Sequence, residues 1–268
     1  MTKKIIIAVA PTGGWGNTEN NPVQSMAIAS DVIRCSKAGA AVVHMHARDE
    51  EGNLTTDLTA FNQAVQTIKD SCDILIEAST GGLSNFTADE RVLPIGNPHA
   101  QMGSLNIGSL NFGDHVYKNS LVDVRFWIQT LAERGVKPSL EIFDTGNMET
   151  AIHLIREGLI SLPCNFSFIF DVKWGMPYHP SILVYLKEQV PENCNWGALL
   201  IGSSTFANHL EAARAGAKIL RVGFEDSYRY NGKIAANNEE LVLALRAELE
   251  ADGFLIATAS EAKEILLK

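Results

Sequence analysis

Short runs of consecutive apolar residues recur along the chain, each followed by a stretch whose apolar positions fall three and four apart. The runs are KIIIAVAP (4–11), AVVHMHA (41–47), DILIEAST (73–80), MGSLNI (102–107), SLEIFDT (139–145), FSFIFDV (166–172), WGALLIG (196–202) and ILRVGFED (219–226). Unbroken rather than alternating, and rich in β-branched residues, they read as strands of a parallel sheet covered by helices. Between them lie SMAIASDVIRCSKAG, DLTAFNQAVQTIKD, VDVRFWIQTLAERG, METAIHLIREGL, HLEAARAGAK and NNEELVLALRAELEADG, which carry helical spacing. Several of these end in glycine, where a left-handed helix cap would sit. The segment TADERVLPIGN is short and interrupted by Pro94, which makes it the weakest unit. Eight strand-helix units in 268 residues match a (β/α)8 barrel better than an open sheet. No Pro/Ser-rich linker or repeat divides the chain, so one barrel domain over 1–268 is expected.

Composition narrows the partners. A hydrophobic fraction of 46% with 20% charged residues suits a large buried core and not a disordered chain. Twenty-two basic against 31 acidic residues give a net charge of −9, and no Lys/Arg block forms a phosphate-binding stripe, so nucleic acid is not an expected partner. The opening MTKKIIIAVAPTGG has six consecutive apolar residues and then Pro-Thr-Gly-Gly. That run is too short for a secretory signal or a membrane span, so a soluble cytoplasmic protein is expected. Cys35, Cys72, Cys164 and Cys194 are scattered without a C-x-x-C, which favours packed thiols over a disulfide frame or a cysteine zinc site.

Chemistry concentrates in VVHMHARDEEG (42–52). On a strand, His44 and His46 at i and i+2 project from one face, at the C-terminal end where barrel enzymes place their active sites. Arg48 and Asp49 continue the alternation into the loop. Two imidazoles so placed are either hydrogen-bonded core residues or two ligands of a zinc ion, which then needs a third. His99, His115, His153, His179 and His209 fall in loops or helices and read as surface or capping residues. A carboxylate is the better third candidate. In RVGFED, Arg221, Gly223 and Glu225 share one face and Asp226 begins the loop; an ordinary ion pair between Arg221 and Glu225 on the outside is the alternative. Gly223 leaves room there for something to approach. In STGG, Ser79 and Thr80, with the amides of Gly81 and Gly82, offer donors for a carboxylate or oxyanion. Asn106 and Glu141 point toward the same rim, with a structural role equally open. The loop PTGGWG matches neither the dinucleotide fingerprint nor the P-loop, and no G-x-S-x-G is present.

Taken together, these residues resemble the β-keto acid cleavage enzymes, whose described member acts on 3-keto-5-aminohexanoate. The resemblance rests on APTGG (10–14), AGAAVVHMHARDEEG (38–52), STGG (79–82), GSLNIGSLNFG (103–113), LEIFDTG (140–146), GMP (175–177), RVGFEDS (221–227) and ATASEAKEIL (257–266). It implies a zinc-dependent barrel, usually a homo-oligomer and by the family's habit a tetramer. Such an enzyme condenses a β-keto acid with acetyl-CoA and returns acetoacetate and a new acyl-CoA. On that pattern His44, His46 and Glu225 are the zinc ligands, Asp226 the general base and Arg221 its orienting partner. Ser79, Ser104 and Asn106 resemble the set that fixes the substrate carboxylate. Two departures concern the substrate. Trp15 stands where the aminohexanoate enzyme carries a glutamate for the substrate ammonium, which favours a neutral or apolar β-keto acid, with a quaternary amine second. Lys173 and Trp174 stand in VKWGMP, where the family is richer in glycine. The competing readings are an amidohydrolase-type metal hydrolase, which would need further His and Asp ligands, and a barrel that binds a ligand without turnover.

Overall fold

The structure is a computed structural model, and it describes residues 4–12, 20–82 and 85–268. Trp15 lies outside the described residues, as do the rest of 13–19 and residues 83 and 84. The eight barrel strands are β1 Lys4–Val9, β2 Ala40–Met45, β3 Leu75–Ala78, β4 Ala100–Asn106, β5 Lys137–Ile142, β6 Asn165–Phe170, β7 Asn195–Leu200 and β8 Ile219–Val222. Each pairs in parallel with its sequence neighbour, and β1 also pairs with β8 from Ile6↔Ile219 to Val9↔Val222. The sheet therefore closes on itself, as the eight-unit count predicts, and no barrel edge is left open.

Closure explains why the strand runs are apolar without alternation. One set of positions, including Ile5, Ile7, Val9, Val43, Ile76 and Leu140, packs outward into the main core with helices α1 (Ser25–Ala38), α2 (Thr59–Ser71) and their successors. The alternate set, including Ile6, Ala8, Val42, Leu75 and Met102, fills the lower barrel interior. A C-terminal helix, Ala259–Leu266, plugs that lower end through Ala262 and Leu266. Its last carbonyls are bound by strand-start amides: Asn165 Nδ2 donates to Leu266 O at 2.9 Å and Asn195 Nδ2 to Ile265 O at 3.0 Å. This helix begins with a capping box, Thr258 accepting from the Glu261 amide and Glu261 from the Thr258 amide.

The expected strands overrun at their C-terminal ends. β2 stops at Met45, so His46 lies just beyond it. β8 stops at Val222 because Gly223 turns the chain at φ 140°, and the amides of Asp226 and Ser227 both donate to Gly223 O at 2.9 Å. The room left at Gly223 is taken by the backbone just after β1: an added Cβ would lie 2.2 Å from Ala10 O. TADERVLPIGN folds as one capped turn of helix, Ala88–Arg91, and a 3-10 turn, Leu93–Gly96, the break falling at Val92 with Pro94 in the first positions of the second turn. Two hairpins, 110–117 and 229–234, follow β4 and β8 and are not foreseen by periodicity. The reading of His209 as a surface or capping residue is corrected. It is buried in the helix Ala207–Ala215 and its Nε2 donates to Arg221 O at 3.2 Å, so burial pulls it down to about 4. Among the described residues no helix is long and apolar enough to cross a membrane.

Candidate active site

The strand geometry that puts i and i+2 on one face carries His44 into the upper barrel interior, and His46 follows at the rim. Their Nε2 atoms approach to 3.4 Å. Glu225, delivered by the turn after β8, brings Oε1 to 3.8 Å from His44 Nε2 and Oε2 to 3.6 Å from His46 Nε2. Ligands on a tetrahedral zinc, at about 2.0–2.1 Å from the ion, stand about 3.4 Å from one another, so the three side chains fit such an ion. These three form the one candidate metal group of at least three ligands found among the described residues.

The surroundings orient the set. β2 and β3 pair His44 with Glu77, and His44 Nδ1 donates to Glu77 Oε1 at 2.8 Å. That bond fixes the tautomer and turns the Nε2 lone pair toward Glu225 and His46, the usual backing for a histidine ligand. Burial opposes charging of His44, but the Glu225 charge and the Glu77 hydrogen bond hold it above its ordinary range. Burial prevails at His46, which is held below. Glu225 resists burial through the charges of Arg221, His44 and His46 and stays well below the usual carboxylate range.

Arg221 sits inside the barrel mouth, so its pairing with Glu225 is not an outer-surface ion pair. Its Nη2 donates to Glu225 Oε1 at 3.3 Å, while Nε and Nη2 grip Asp226 at 2.9 and 2.5 Å. Burial raises the Asp226 carboxyl against the pull of Arg221, while the neighbouring carboxylates hold Arg221 itself above its usual range. Asp226 is thus a buried carboxylate held by a two-point fork, with its affinity for a proton increased.

The remaining predicted residues divide. Ser79 lies beside His46, its Oγ accepting from the Gly81 amide at 3.0 Å, so that amide is already used. Thr80 turns away and locks onto β4, its amide donating to Ser104 Oγ at 3.2 Å and its hydroxyl to Ser104 O at 2.6 Å. Asn106 is buried with both side-chain polar atoms unpartnered, and Glu225 Oε2 and His46 Nδ1 share that condition. Each unpartnered buried amide or ring nitrogen costs about 1–3 kcal/mol, which a ligand at this position would recover. Glu141 pairs in register with Asn106, and burial pushes its carboxyl up to about 7. Glu77 was not assigned its orienting role by sequence; the signal was its alignment with His44 across a parallel pair. Arg48, next in the alternation, ties loops instead, donating to Gly52 O at 2.6 Å and Thr12 O at 3.3 Å.

Fold and geometry together define a (β/α)8 barrel whose mouth carries a His-His-Glu cluster beside a guanidinium-gripped aspartate. Residues 4–267 match the sequence model of the beta-keto acid cleavage enzyme family, and the chain belongs to that family. It is 35% identical over 272 residues to the 3-keto-5-aminohexanoate cleavage enzyme of Fusobacterium nucleatum, covering 99% of this chain and 98% of the relative. It is 28% identical over 297 residues to the 3,5-dioxohexanoate:acetyl-CoA acetone transferase of Paraburkholderia graminis, covering 98% and 96%. The ternary complex of ObcA with a C4-CoA adduct and oxalate shares the fold, with a TM-score of 0.74 at 18% identity over 93% of this chain and 68% of that one.

Proposed function

We propose that this chain transfers between acyl groups: it takes a β-keto acid and acetyl-CoA and releases acetoacetate and a new acyl-CoA. One observation carries the reading. Two consecutive carboxylates, Glu225 and Asp226, share Arg221, but only Glu225 reaches the two histidines, while Asp226 takes the two-point grip of the guanidinium. His44, His46 and Glu225 would hold zinc, which when bound supplies Lewis acidity to the keto group and makes the adjacent methylene more acidic.

Asp226 then takes a proton from that methylene, with Arg221 keeping the carboxylate aimed. The carbon so freed attacks the thioester carbonyl of acetyl-CoA, forming a carbon–carbon bond and expelling CoA thiolate. The thiolate returns to the original ketone, the bond between that carbonyl and the former methylene breaks, and Asp226 gives its proton back to the departing acetoacetate carbon. Ser79, Ser104 and Asn106 hold the acid's carboxylate through these steps. Trp15 supplies no countercharge, so a neutral or apolar β-keto acid is preferred over a primary amine. The relative from Paraburkholderia graminis, whose name includes acetyl-CoA, supports this co-substrate. The amidohydrolase reading is disfavoured because no further His or Asp joins the cluster among the described residues.

The protein acts in the cytoplasm as one barrel per chain within a homo-oligomer, whose contact would cover the exposed apolar Leu121, Val122 and Phe126 on one helix. Metal analysis, followed by acetoacetate release from acetyl-CoA with a panel of β-keto acids, tests the proposal. Zinc near one per chain and acetoacetate from at least one acid are expected; acetoacetate from none of the panel overturns it.

A further inference from the structure

Neither periodicity nor resemblance singles out Tyr117. It ends the short strand His115–Tyr117 of the hairpin after β4, and its hydroxyl packs against Gly81. A Cβ added to that glycine would lie 3.0 Å from Tyr117 Oη, 3.0 Å from Ser79 Oγ and 3.1 Å from His46 Cε1. Three elements therefore meet closely at Gly81, beside the candidate metal ligands.

What the phenol can do there follows from what already binds it. A phenol oxygen has two lone pairs and one hydrogen. Arg91 Nη2 donates to it at 3.2 Å. A guanidinium cannot accept in return, so the Tyr117 hydrogen is left to give in another direction. Arg91 cannot shift to change this. It is buried, with Nε donating to Thr80 O at 2.8 Å, Nη1 to Lys118 O at 2.7 Å and Nη2 to Asn119 Oδ1 at 2.6 Å, and its guanidinium lies 4.2 Å from the Trp127 ring centroid. Ser79 is in a parallel situation, since its oxygen accepts from Gly81 and its hydrogen is left to give. Two hydroxyl hydrogens with a fixed cation behind one of them make a receptor for an anionic oxygen.

We propose that Tyr117 determines specificity by donating a hydrogen bond to the carboxylate of the β-keto acid, beside Ser79, with Arg91 as the positioning residue that fixes the phenol. The assignment rests on the proposed reaction for the identity of the acid, and on the convergence at Gly81 for the anion. It distinguishes acids from their neutral esters, which present no charged oxygen to this corner.

Tyr117→Phe keeps the ring and its contact with Arg91 and removes the donor. Binding of acetoacetate and of methyl acetoacetate to the metal-loaded protein as purified is measured by calorimetry, alongside kcat and KM. The variant should bind acetoacetate about tenfold or more weakly, the usual worth of a hydrogen bond to a charged group. Its affinity for the ester should be unchanged, and KM for the β-keto acid should rise while kcat stays within about threefold. Equal weakening of acid and ester, no weakening of either, or a fall in kcat with KM unchanged would overturn the assignment. A wild-type protein that prefers acetoacetate to its ester, loses that preference in Tyr117→Phe, and yet releases no acetoacetate from acetyl-CoA would overturn the reaction and leave the anion corner standing.

Discussion

The lower and upper halves of the barrel interior are built on the same strands, often two residues apart, and are opposites. Below, Ile6, Val42, Leu75 and Met102 meet Leu266 of the terminal helix, and polar groups there, Asn165, Asn195, Ser139 and Ser167, have partners. Above, His44 follows Val42, Glu77 follows Leu75 and Arg221 follows Ile219, with Asn106 unpartnered at the rim. The polar groups of the lower half are satisfied within the protein. The upper half is a buried charged layer whose remaining valences point inward, so it is finished only by what it binds. One scaffold thus separates stability from chemistry along a single axis, and substitutions on either side should report on different quantities.

The sharpest contrast comes from the upper half. Asp226→Asn should keep the fold and bound zinc yet lower turnover by about 10² to 10⁴, the usual cost of removing a general base. Unimpaired turnover would move the base elsewhere, with Glu141 the next candidate. His46→Ala should lose most of the metal while its unfolding transition stays cooperative; full retention of zinc would break the His-His-Glu assignment. From the lower half, Leu266→Ala should reduce stability by about 2–5 kcal/mol in denaturant unfolding, with activity per folded molecule unchanged. A loss of kcat without a loss of stability would erase the distinction between the halves.

The smallest effect concerns pH. Glu141 is held near 7 by burial, against an ordinary 4.5, so the folded chain binds this proton more tightly than the unfolded one. Its contribution is intact below about pH 4.5 and is lost as pH rises through about 7. Metal-free Glu141→Gln should therefore gain stability relative to metal-free wild type between pH 4.5 and 8, by up to about 3 kcal/mol. Parallel stability curves for the two proteins would show that the upper layer carries no such strain.

Much of this was legible because it is local and periodic. Unbroken β-branched runs alternating with helical spacing led to the closed barrel, since a strand buried on both faces has no polar alternate position to show. His44 and His46 could be paired from their two-residue spacing alone, because strand geometry fixes the relative direction of their side chains. The end of β8 was less legible: alternation carries on through Gly223 in the sequence, whereas the chain turns there, where the Ala10 backbone just after β1 occupies the place of a side chain. His209 was misread because helical position alone does not tell which helix face the barrel covers.

By itself, the amino-acid sequence determined the eight strand runs, most of the helices between them, their order and the side shared by the two histidines. Those properties depend on neighbours within a few residues. Only the tertiary structure decided that Glu77 backs His44, that Arg221 grips Asp226 inside the mouth and not on the outer wall, and that Thr80 serves Ser104. The same holds for the Tyr117 hydroxyl before Gly81, and for Cys164 and Cys194 at the starts of neighbouring strands, with their sulfurs 3.7 Å apart. Those contacts join segments far apart in the chain, and their geometry follows from strand register and barrel closure, which no local pattern specifies.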